Sequence, residues 1–119
     1  MDSILDSVKK VLGIHEEYKA FDVDVIMHIN TAFFLLNQLG VGPEEGFSIQ
    51  DSSSKWSDFT GTSKNLEAIR SYIFVRVRLL FDRPETSYGI QALERQAKEL
   101  EWRLSVQADR DSYESTVTP

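Results

Sequence analysis

The chain has 119 residues, a formal net charge of −6, 41% hydrophobic residues, 27% charged residues and no cysteine. That length suits a single domain with a modest core, and the composition is ordinary for a globular protein. The acidic balance opposes generic binding to phosphate backbones or anionic membranes, and the lack of cysteine excludes disulfides and thiolate metal sites.

The opening "MDSILDSVKK" carries acid before base, the wrong order for a signal peptide, and the apolar runs are too short to span a bilayer. The expectation is a soluble protein of a reducing cytosol. The first helical pattern runs from about Ser3 to Leu12, where Ile4, Leu5, Val8, Val11 and Leu12 recur at helical spacing. Asp2 or Ser3 can cap it, Lys9 and Lys10 suit its C-terminal end, and Gly13 is a natural stop.

The second helix is expected over about Asp22 to Leu39. Val25, Ile26, Ile29, Ala32, Phe33, Leu36 and Leu39 form its apolar stripe, and Gly40 closes it. Val23, Met27 and Phe34 lie outside that stripe. A long polar connection then spans Gly40 to Asn65. Its length suggests a functional or disordered segment, but Phe47, Ile49, Trp56 and Phe59 argue against a plain linker. Within it, "FSIQD" alternates as a short strand would, and "DSSSKWSDF" reads as a turn followed by an aromatic anchor.

The third long element, about Ser63 to Phe81, carries conflicting signals. Residues 72–79 alternate as in a strand, yet Leu66, Ile69, Ile73, Val77 and Leu80 sustain a helical stripe, and length decides for helix. Tyr72, Val75 and Leu79 give it a second apolar face, so it should be buried on two sides. The last helix is expected over about Thr86 to Val106, with a narrow seam of Ile90, Leu93, Ala97, Leu100 and Leu104. Glu94–Lys98, Arg95–Glu99 and Glu99–Arg103 can pair along its solvated sides, and Trp102 points away from the seam. Residues 107–119 read as a polar, flexible tail.

The expected architecture is therefore all-α: three long helices plus a short N-terminal one, with a long loop between the second and third. Residues 1–106 form the domain. The helix hairpin rests on Phe81, Asp82, Pro84 and Thr86. Pro84 prevents continuation of the third helix and Asp82 is biased off helix, while Thr86 or Ser87 caps the fourth.

No catalytic or cofactor set is legible. "HEE" at His15 has no second histidine at ligand spacing, and His28 sits beside the core stripe, where a packed ring is the simpler reading. No serine or threonine has a histidine partner, and "GVGPEEG" lacks the lysine and the strand–loop–helix setting of a phosphate loop. Arg70, Arg76, Arg78 and Arg83 offer a nucleic-acid reading, but interspersed hydrophobes and the acidic chain favour arginines that snorkel or flank the stripe. Neither a metal nor a cofactor is expected.

The surplus apolar residues say more. Val23, Met27, Phe34, Tyr72, Val75, Leu79 and Trp102 lie off the main stripes. Two-faced packing of central helices accounts for some, and association surfaces are expected from the rest. Trp56, Phe59, Tyr72, Val75, Leu79, Trp102 and Tyr113 are the candidate oligomer or partner contacts, the tryptophans foremost.

The order of features resembles the head–tail connector (head-completion adaptor) proteins of tailed bacteriophages. It is carried by "SILDSVKKVLGI", "LNQLGVG", "FSIQDSSSKWSDF" and "IRSYIFVRVRLLFDRPETSYGIQALERQAKELEWRL". The last block is the most specific, and Arg83-Pro84 stands where a Pro-Pro pair is expected in many relatives. Trp56, Phe59, Phe81, Asp82 and Pro84 match the family pattern in mostly structural roles. The resemblance implies a non-enzymatic virion protein that forms a ring of about a dozen subunits. Such a ring docks beneath the portal after DNA packaging and presents a surface to a stopper or tail-completion protein. DNA would pass its channel without sequence-specific binding, and the protein would reside in host cytoplasm during assembly. The 42–62 loop and the tail are expected to order on docking. The alternative is a small helical DNA-binding or packaging regulatory protein using the Arg70–Arg83 helix.

Overall fold

The computed structural model describes residues 3–60 and 65–117, with side chains through residue 59 and over 65–110. Five helices appear among them: α1 (Ile4–Val11), α2 (Asp22–Gln38), α3 (Trp56–Thr60), α4 (Leu66–Phe81) and α5 (Ser87–Val117). The chain is all-α, as its helical stripes and segment lengths predict. Two features exceed expectation. A one-turn helix, α3, forms inside the long connection, and the last helix runs past Val106 to Val117. Asp2 and the expected start of the third helix at Ser63 lie outside the described residues.

Helix α4 is the hub, packing against α1, α2 and α5. This explains its two apolar faces. Ile69, Ile73 and Val77 are buried, and so are Tyr72, Val75 and Leu79. The stripe departs from expectation at its end: Leu79 is 8% exposed and Leu80 50%. The apolar contacts thus follow the second face at the C-terminal turn.

Helix α1 starts as its sequence dictates, with Ser3 Oγ accepting the Asp6 N–H at 3.2 Å. The hairpin after α4 behaves likewise. Asp82 leaves the helical region at φ −130° and ψ 69°. Thr86 is the cap that is used, its Oγ1 accepting the Gly89 N–H at 3.0 Å. A Cβ on Gly89 would come within 2.9 Å of Pro84, so this turn needs glycine for close approach.

The connection between α2 and α4 is built into the core as far as residue 60. Residues 47–49 form no strand. The side chain of Asn30 supplies the pairing a neighbouring strand would give: its Nδ2 donates to Ile49 O at 3.0 Å, and its Oδ1 accepts from Ile49 N at 2.8 Å. Farther on, Ile4 N donates to Ser54 O at 3.0 Å and an isolated antiparallel bridge joins Ser3 to Lys55. The expected turn is present, with Asp51 Oδ1 accepting the Ser53 N–H at 2.8 Å.

Candidate interaction surfaces

Five of the proposed contact residues belong to the chain's own core. Trp56 is buried and donates from Nε1 to Ser7 Oγ at 3.2 Å, tying α3 to α1. Phe59 completes a cluster with Phe33 and Phe47, whose ring centroids lie 4.7 to 5.2 Å apart. Tyr72, Val75 and Leu79 are covered within the subunit. These five are therefore not free surface on the subunit: α4 is sandwiched between α2 and α5, and Trp56 and Phe59 turn inward from α3. Phe81 of the hairpin also has a packing role: its ring meets Phe21 at 5.4 Å and His28 at 6.3 Å.

Trp102 is placed as expected, 66% exposed on α5. Tyr113 lies on the last turns of α5, and its side chain falls outside the described residues. A further exposed apolar line is on α2, where Val23, Met27 and Phe34 are 78%, 56% and 60% exposed. Together with Ile26, Asn30 and Thr31 they line a shallow open groove.

Two polar clusters escaped the sequence reading. Lys9 is fully buried, and its Nζ donates to Glu16 O (3.0 Å), Tyr18 O (2.7 Å) and Asp22 Oδ1 (2.7 Å). The signal was present: Lys9 follows Leu5 by four residues and so sits on the apolar face. The second cluster joins α4 to α5. Tyr72 Oη donates to Glu101 Oε2 at 2.7 Å, Arg76 Nε donates to Tyr72 Oη at 3.1 Å, and Arg76 Nη2 pairs with the same Glu101 oxygen. Burial raises the Tyr72 phenol, with help from the Glu101 hydrogen bond, to about 12. Burial also pushes the Glu101 carboxyl upward, but hydrogen bonds from Arg76 and Tyr72 and the Arg76 charge outweigh it and leave Glu101 below its ordinary value. Glu101 lies between Ala97 and Leu104 of the seam, which marks it as partly inward.

Of the four arginines, Arg78 and Arg83 are exposed, whereas Arg70 and Arg76 are engaged within the subunit. Arg70 lies 5.6 Å from the Trp56 ring and 5.8 Å from Phe74, and Arg76 is held by Glu101. His15 Nδ1 accepts the Glu17 N–H at 3.2 Å. Among the described residues, no group of three or more His, Asp or Glu side chains could hold a metal ion, and no helix is long and apolar enough to cross a membrane. Of the expected charge pairs on α5, Glu99–Arg103 is formed at 2.9 Å.

Exposed apolar lines on a small helical unit are the kind of feature that association surfaces carry. The model of the phage connector protein family matches residues 4–111, and the chain belongs to that family. It is thus a structural protein of the phage head–tail region, in a family that engages portal and tail proteins. No curated protein and no solved structure matches it.

Proposed function

We propose that this protein is a ring-forming adaptor that docks on the portal vertex after DNA packaging and joins the head to the tail or stopper. About a dozen copies would encircle the channel, as the family resemblance implies. The protein would act without catalysis, reside in the virion, and pass through the host cytoplasm during assembly. The observation that carries the reading is the pair of exposed apolar lines, on α2 and around Trp102, left over once the core of a connector-family subunit is complete. The net charge of −6 supports a channel component that lets DNA slide without gripping it.

The test is a phage lacking this protein. It should accumulate DNA-filled heads without tails, and adding the purified protein should restore tail joining. Tailed, infectious particles formed without it would overturn the proposal. The DNA-binding alternative requires salt-dependent duplex binding that Arg78→Ala and Arg83→Ala abolish; the internal engagement of Arg70 and Arg76 weighs against it.

A further inference from the structure

Once the core is closed, α2 and α5 each keep an apolar patch facing away from it. Taking about 100° per residue, the α2 line Val23–Met27–Phe34 lies about 150° around the helix from the buried line Val25–Ile29–Ala32–Phe33–Leu36. On α5, exposed Trp102 and Val106 stand one turn apart, roughly opposite buried Ala97 and Leu104. The patches differ in shape. The α2 patch is a shallow groove running from Val23 past Met27 to Phe34, whereas the α5 patch projects an indole.

They also differ in charge. No lysine or arginine occurs between Lys19 and Lys55, so α2 carries no basic residue, and its first turn exposes Asp24. The outward side of α5 instead carries Arg95, Lys98, Arg103 and Arg110 against Glu99 and Asp109, and with Glu99 paired to Arg103 it keeps a basic excess. Pairing α5 with α5 would set arginines against arginines, and pairing α2 with α2 would leave both indoles in water. Pairing α2 with α5 satisfies shape and charge together. Two unlike, complementary patches on one chain make a head-to-tail contact, the kind that repeats and forms a ring when the rotation between copies closes.

We infer that the α2 groove of one copy receives Trp102 and Val106 of the next copy. This rests on the ring reading and adds which surfaces build the ring. Because the chain has no cysteine, a Met27→Cys/Val106→Cys double variant holds only the two introduced thiols. A short bis-maleimide applied to the full-length double variant on portal-bearing heads should give a ladder of covalent multimers. Either single variant should give none. A dimer formed by the Met27→Cys variant alone, or a cross-link from its thiol mapped to a portal or stopper protein, would overturn the assigned occupant. Native mass spectrometry separates the two levels. Multi-copy assemblies without a ladder would overturn these surfaces while leaving the ring intact, and absence of any multi-copy assembly would overturn both. Trp102→Glu should raise the concentration for half-assembly at least tenfold with unchanged circular dichroism; unaltered assembly would also overturn the inference.

Discussion

Lys9 Nζ sits 2.7 Å from Asp22 Oδ1, with the lysine fully buried and the carboxylate partly open to solvent. The pair anchors α1 to the first turn of α2, and the backbone oxygens of Glu16 and Tyr18 complete the ammonium's hydrogen bonds. Removing one member of such a pair leaves the other desolvated without a partner. Lys9→Ala should therefore cost about 3 kcal/mol or more, whereas Asp22→Asn, which keeps an acceptor, should cost about half that. Urea denaturation of the two variants checks the order.

The Tyr72–Arg76–Glu101 cluster should shape stability at both ends of the pH range. Tyr72 holds its proton to about 12, against an ordinary value of 10.0. Between those values the unfolded chain binds fewer protons than the folded one, so stability falls as pH rises through that window. Glu101 is displaced the other way. Its contribution is present above about 4.5 and is lost as pH falls through its lower folded value. Tyr72→Phe should remove the last-ionising tyrosine from an alkaline ultraviolet titration. Glu101→Gln should flatten the acid limb of a plot of melting temperature against pH.

Gly42 has φ +90°, and a Cβ there would stand 2.6 Å from the Phe59 ring. Backbone strain and overpacking add, so Gly42→Ala should destabilise by about 2 kcal/mol or more. Combining it with Phe59→Leu, which removes the obstructing ring atoms, should make the glycine substitution less costly than it is alone. A double-mutant cycle by thermal denaturation measures this coupling.

The two tryptophans should report opposite environments. Trp56→Ala opens a hole beneath α1 and should cost about 3–5 kcal/mol. Trp102→Ala should leave subunit stability within about 0.5 kcal/mol. In fluorescence of the unassembled protein, iodide should quench the component that Trp102→Phe removes and spare the rest.

Helix positions were legible wherever apolar residues repeat along one stripe. The α5 seam of Ala97 and Leu104 is buried, and Trp102 points outward. The hairpin was legible for the same local reason, since Pro84 and Thr86 act on their immediate neighbours. Candidate contacts were legible only in part. Val75 and Trp102 both lie off a stripe, and periodicity gives them the same status. One is covered by packing within the subunit and the other is not.

The amino-acid order alone determined the helical class, the caps and the acidic, cysteine-free character, because each depends on neighbours within a few residues or on composition. Tertiary structure decided which apolar faces remain free. Placing α4 between α2 and α5 hides Tyr72, Val75 and Leu79, and folding α3 back onto α1 hides Trp56. Val23, Met27, Phe34 and Trp102 stay in solvent because, among the described residues, no other helix covers them. Burial is set by contacts between residues distant in sequence, so the outward surface could be read only after the core had been assembled.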